Sequence, residues 1–202
     1  MKLLTFAFAV IQILTFSLAS AAQDKDKLAR LPADATLADS QAWIIKNLPK
    51  NFGYSLVDDT VKISSLKFDG CTLSYRVFQR YTDQKAALGD RPGLGVTGAT
   101  TAIDLAYSVY EDVWIELADI DPSRVALGPL PQSKMQVIVL DTEQNRDTIK
   151  FDRKGSKIRY NETGMRNTTS LPVKESAGES LGLGLRHTIQ LCRAQKSTQK
   201  IN

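Results

Sequence analysis

The chain has 202 residues, 43% of them hydrophobic and 24% charged, with a formal net charge of +4. That is ordinary globular composition rather than disorder, and so small a charge gives no electrostatic basis for nucleic-acid binding. One histidine and two cysteines leave no zinc constellation.

The first residues read as a secretory signal. Met1-Lys2 is a minimal positive start, and Leu3 to Leu18 is apolar except at Thr5, Gln12, Thr15 and Ser17. Small residues follow at Ala19, Ser20, Ala21 and Ala22, so cleavage is expected just before Ala22 or Gln23. The run is short for a membrane span of about 20 apolar residues. Residues 1–21 are therefore expected to be a signal peptide and 22–36 a loose leader. Residues 37–194 would then form one domain and 195–202 a polar tail, with no transmembrane segment left after cleavage. The expected location is outside the cytoplasm, periplasmic or extracellular.

Along the mature chain, Asp39-Ser40 reads as a cap for a short helix over Asp39–Leu48 that Pro49 ends. Val61–Phe68 and Cys71–Gln79 are β-branched and aromatic runs flanking Asp69-Gly70, the favoured two-residue hairpin turn. Broken alternation at Ser64-Ser65 predicts a bulge. Residues 82–101 read as a long exposed loop. Ile103 to Leu117 alternates, but is too long for one ordinary strand, and a turn or bend is placed at Glu111-Asp112. Met135–Leu140 reads as a buried strand. Thr148–Phe151 and Lys157–Tyr160 are expected to pair around Arg153-Lys154-Gly155.

The last predicted element is a helix. Ser176 and Glu179 have capping-box spacing, and Ala177, Leu181, Leu185, Ile189 and Cys192 form one apolar stripe. Gly178, Gly182 and Gly184 suggest close packing of this helix on a sheet. The fold class is therefore α+β: a curved antiparallel sheet capped by the C-terminal helix, with a short N-terminal helix. Cys71 and Cys192 both face the core. In an oxidising compartment such a pair is expected to bridge, closing a loop of about 120 residues that contributes about 4–5 kcal/mol on the chain-entropy model. Two buried free thiols are the alternative, since sequence alone does not show that the two meet.

Leu117-Ala-Asp-Ile-Asp-Pro-Ser-Arg-Val125, followed by strands and then Leu185-Arg-His-Thr-Ile-Gln-Leu-Cys192, resembles a group of uncharacterised exported bacterial proteins. The resemblance covers the second half of the chain. It implies a pleckstrin-homology-like shape, a bent sheet capped by a C-terminal helix, and no activity.

Several segments have the spacing of known chemical motifs. Gly93-Leu-Gly95-Val-Thr-Gly98 has dinucleotide-fingerprint spacing, with Glu116 and Asp119 about 20 residues on, but no βαβ unit surrounds it. Gly178-Glu-Ser180-Leu-Gly182 matches a nucleophile elbow near His187. It lies inside a predicted helix, however, and has no acid between the serine and the histidine. His187 reads as a solvated polar residue. Asp58-Asp59 and Asp119-Asp121 read as turn residues rather than calcium ligands. Asn161-Glu-Thr163 and Asn167-Thr-Thr169 are sequons that matter only in a eukaryotic host.

Lys150, Arg153, Lys154, Lys157 and Arg159 cluster on one predicted hairpin, with Arg166 just beyond. The leading expectation is a non-enzymatic exported domain, without a cofactor, that binds a ligand or partner protein through its surface. The alternatives are a serine hydrolase using Ser180 and His187, and a binder of anionic lipid or glycan working through the basic hairpin 150–159.

Overall fold

A computed structural model describes residues 27–55, 60–82, 106–130, 134–155 and 161–199. The class is α+β. In chain order the elements are α1 (Leu37–Asn51), β1 (Tyr54–Ser55), β2 (Thr60–Asp69), β3 (Thr72–Thr82), β4 (Ala106–Glu116), β5 (Ala126–Leu130), β6 (Met135–Asp141), β7 (Ile149–Gly155), β8 (Glu162–Arg166), β9 (Thr168–Lys174) and α2 (Glu175–Gln199). The signal and the start of the leader, residues 1–26, lie outside the described residues, as do 83–105 with the fingerprint glycines.

The strands form two antiparallel sheets, not the single one expected. Six strands run in the order β1-β2-β3-β4-β7-β8, and three in the order β5-β6-β9. The two sheets share a path. Only Asn167 separates β8 from β9, and its carbonyl accepts from Thr142 N at 2.9 Å. At the far edge of the second sheet, Phe52 bridges Val173, and Gly53 N donates to Pro172 O at 2.8 Å. Backbone pairing therefore leaves β1, crosses the six-stranded sheet, bends into β9 and returns to the residues just before β1.

The second sheet went unread because both its outer strands contain proline, Pro129 in β5 and Pro172 in β9. A proline cannot donate to a ladder and normally argues against a strand, but an edge strand has one unpaired side to spare. β4 also departs from expectation. It runs unbroken through Glu111-Asp112 because partners across the strands neutralise both charges: Arg153 and Arg166 hold Glu111, and Arg76 holds Asp112 at 2.7 and 2.8 Å.

The hairpin forms with its turn one residue later than predicted. Asp69 pairs with Thr72, so the loop is Gly70-Cys71, and Gly70 takes φ +54°, which glycine tolerates without steric cost. The bulge is where alternation failed: the register shifts between Ser64 and Lys67, with Ser65 at φ +54°.

The predicted first helix is longer at both ends. Thr36 caps it in a reciprocal box with Asp39, whose carboxyl is held below the usual carboxylate range by the Thr36 hydroxyl and then the Thr36 amide. Pro49 does not end the helix but sits in its last turn, where it forgoes the hydrogen bond to the Ile45 carbonyl.

α2 begins straight off β9, with Glu175 N donating to Lys134 O at 3.2 Å, so the expected Ser176–Glu179 box does not form; Glu179 instead pairs with Arg30. The helix continues through most of the expected polar tail, to Gln199. Its predicted stripe is the core: Ala177, Leu181, Leu185, Ile189 and Cys192 are all buried, packed with Leu73, Ile115, Ile138 and Leu171 from both sheets. Of the three glycines, Gly178 and Gly182 face Gln136 of β6 and Leu127 of β5, while Gly184 faces Trp43 of α1. The helix is thus wedged between the second sheet and α1. Cys71 and Cys192 are bridged, their Cα atoms 5.6 Å apart, which ties the first hairpin to α2.

Residues from Lys27 on are not a loose leader. Leu28 N donates to Ser176 O at 3.4 Å, and the chain then follows α2 as far as Ala35.

Gly53 gives the sharpest backbone prediction. It has φ +79°, and a Cβ there would stand 1.9 Å from the Val61 carbonyl oxygen, whereas a Cβ at Gly128 meets nothing within 4 Å. Gly53→Ala is expected to cost about 3 kcal/mol or more, and Gly128→Ala to stay within about 0.5 kcal/mol of wild type, by urea unfolding.

Candidate functional site

The inner faces of the strands, away from the buried stripe of α2, surround a cleft of about 600 Å³. Register sets its chemistry. Val77 of β3, Glu111 of β4 and Arg153 of β7 stand directly opposite one another, and two residues along are Tyr75, Val113 and Phe151. Side chains alternate along a strand, so these rows share a face.

Glu111 is the centre of the polar end. Its side chain is only 8% exposed, and two guanidiniums hold it. Arg153 donates from Nε (2.9 Å) and Nη2 (2.6 Å) to Oε2, and Arg166 Nη2 donates to Oε1 at 2.8 Å. Both guanidiniums lie near the Phe151 ring, at 5.8 and 5.1 Å from its centroid. Arg153 Nη1 also reaches Glu162, at 3.3 Å, on the rim. Arg166 Nη2 donates to Thr169 Oγ1 at 3.0 Å as well, and that hydroxyl lies 3.3 Å from the Tyr75 hydroxyl. Burial pushes the Tyr75 phenol up to about 12; Thr169 and Arg166 oppose that shift, and Glu111 adds to it.

The remaining walls are mostly apolar. Phe52, Val61 and Val77 come from the first sheet side, and Val137, Val139 and Pro172 from the second. Val137 and Val139 are therefore half-buried cleft residues of β6, while Ile138 and Leu140 on the opposite face of that strand are fully buried.

The basic hairpin does not assemble as expected. β7 continues through Arg153-Lys154-Gly155 and pairs with β8, not with Lys157–Tyr160; Lys157 and Arg159 lie outside the described residues. Strand alternation then divides the cations. Arg153 points into the cleft, while Lys150 and Lys154 lie on the outer face. There Lys150 sits 5.3 Å from the Trp114 ring and Lys154 3.2 Å from Asp152. The Thr163 hydroxyl, and then Lys154, holds the Asp152 carboxyl below its usual range.

Ser180 and His187 are not brought together for catalysis. Both lie on α2, seven residues apart, which is about 10 Å along a helix. Each is engaged with the N-terminal segment: Ser180 Oγ donates to Leu28 O at 2.7 Å, and His187 Nε2 to Ala35 O at 2.9 Å. The histidine is half-buried, not solvated. Asp121 accepts from Ser123 N, the turn role expected of it, whereas Asp119 pairs with Lys196; Asp58 and Asp59 lie outside the described residues. Among the described residues no group of three or more His, Cys, Asp or Glu is placed to hold a metal. Nor is any helix there long and apolar enough to cross a membrane.

Sequence reading missed Glu111, Tyr75 and Thr169 as site residues. The available signal was an acid in the middle of a long alternating run, which registered as a turn instead. No family model, curated protein or solved structure matches the chain.

Two stability predictions follow from this cluster. Glu111→Gln leaves two guanidiniums facing each other and is expected to cost about 3 kcal/mol in urea unfolding, the low end for breaking a buried pair because both arginines keep some access to water. For Tyr75, the folded form keeps its proton up to about pH 12, while the unfolded form loses it from about 10. Its contribution is therefore full below pH 10 and falls as pH rises through that window. Tyr75→Phe should flatten that part of the alkaline stability profile, and an unchanged profile would refute the assignment.

Proposed function

We propose that this chain is an exported, non-catalytic domain that binds a small ligand in the cleft between its two sheets. The carrying observation is the cleft itself: about 600 Å³, mostly apolar, with a buried carboxylate and two arginines converging at one end. Binding sites are concave, run about 300–1,000 Å³ and combine apolar walls with a few placed polar groups, and the mouth of a closed strand circuit is a common location. Export is supported by the signal-like start and by the Cys71–Cys192 bridge, which suits an oxidising compartment. The non-catalytic reading is supported by Ser180 and His187, each tied to a main-chain carbonyl. The resemblance to exported bacterial proteins agrees with the same setting.

The cleft is preferred to the outer face as the site because strand alternation takes Arg153 away from Lys150 and Lys154, and Lys154 already has an acidic partner. Native mass spectrometry of protein from the exported fraction tests the reading. The expected result is a polypeptide lacking about 21–22 residues that carries a non-covalent adduct, with the adduct lost in Ser170→Trp. Ser170 lines the cleft and is exposed, so a large ring there blocks the space without disturbing the core. An adduct retained by Ser170→Trp, or no adduct in either protein, would sink the cleft as the site.

A further inference from the structure

We infer that the cleft accepts an amphipathic acid, a molecule with one carboxylate head and an unbranched apolar tail, with the head at Arg166. This rests on the cleft being the ligand site, and it adds the chemical class.

The first argument is charge. Among the described lining residues only Glu111, Arg153 and Arg166 are charged, and all three stand at one end. Among the lining residues that is two cations against one anion, and Glu162, which reaches Arg153 from the rim, has a side chain 60% exposed and is screened by water. A single carboxylate balances the excess cation. A phosphate monoester carries about −1.5 to −2 at neutral pH and would overshoot beside Glu111. A neutral ligand could accept a hydrogen bond from a guanidinium but would desolvate its charge without compensating it.

The second argument is donor use. Arg153 commits Nε and Nη2 to Glu111 and Nη1 to Glu162. Arg166 meets both Glu111 and Thr169 through Nη2 alone, and its Nε is buried with no hydrogen-bond partner. Buried polar groups are almost always bonded, so this unmatched donor marks a guanidinium whose hydrogen-bonding capacity the protein itself does not exhaust. The Arg166 side chain is 25% exposed, so its guanidinium can be approached from the cleft. An arginine held in place by Glu111 and Phe151 is pre-organised for a carboxylate.

The third argument is the tail. Beyond the charged end, Val61, Val77, Val137, Val139 and Pro172 line the space together with Gln79, Thr168 and Ser170, so apolar surface outweighs polar surface and can take methylene groups.

Displacement of a neutral fluorescent probe, N-phenyl-1-naphthylamine, tests this with dodecanoic acid, 1-dodecanol and dodecyl phosphate at neutral pH. The expected order is dodecanoate first, at concentrations at least about tenfold below those needed for either analogue. Arg166→Gln should shrink the gap between acid and alcohol to about threefold or less. Arg166→Lys, which keeps the charge, should preserve most of it and shows that loss in the glutamine variant is not misfolding. Equal potency of acid and alcohol, an unchanged gap in Arg166→Gln, or tighter binding of dodecyl phosphate would overturn the inference. In any of those cases, probe binding abolished by Ser170→Trp would leave the cleft standing as the site. Probe binding that survives Ser170→Trp would instead remove the cleft reading, and the inference with it.

Discussion

A carboxylate on the inner face of a central strand has to be neutralised in place, and much of this molecule is arranged around that requirement. Glu111 lies mid-way along β4, flanked by Val109 and Val113 on the same buried face. Only cations from neighbouring strands can reach it there, and the register of β7 and β8 brings Arg153 and Arg166 to it. Shifting either strand by one residue would turn its arginine to the outer face and leave the acid unpaired. The ion cluster thus acts as a register pin. It adds less to stability than its short distances suggest, since a buried pair recovers mainly its own desolvation. In exchange it defines one strand alignment and places guanidiniums at the edge of the cleft.

Features with a strong local cause could be read directly from the sequence. The stripe from Ala177 to Cys192 has a single period and becomes the buried face of α2. The hairpin was visible because Gly70 supplies a backbone conformation few residues adopt, and the bulge because two serines break an otherwise regular alternation. Features that depend on distant partners were not legible. Glu111-Asp112 looked like a turn because two adjacent acids rarely lie inside a strand unless cations wait on both faces, and those cations come from residues 76, 153 and 166. Pro129 and Pro172 concealed two strands because only the finished sheet shows which strands are edges. The candidate site suffers most from this, since its residues come from β3, β4, β7, β8 and β9.

The same strand period explains why a basic run in sequence did not become a basic patch. Lys150 and Lys154 leave one face of β7, and Arg153 the other. A cluster counted along the chain is halved once the segment is extended, whereas on a helix residues three or four apart would have stayed together. Arg166, outside the counted run, proves nearer to Arg153 in function than Lys154 is, because both bind one carboxylate.

The disulfide has a topological effect apart from its contribution to stability. Cys71 and Cys192, 121 positions apart, make the intervening chain a covalent ring that includes seven of the nine described strands. β3 to β9 and most of α2 lie inside the ring, whereas α1, β1, β2 and the segment beside α2 hang from it as a tail. One peptide bond hydrolysed anywhere in the ring opens it but releases no fragment. Outside a cell, where proteases attack connecting segments first, a nicked molecule would stay in one piece and keep its strands in register. Only reduction would show the break, as two polypeptides where a non-reducing gel had shown one.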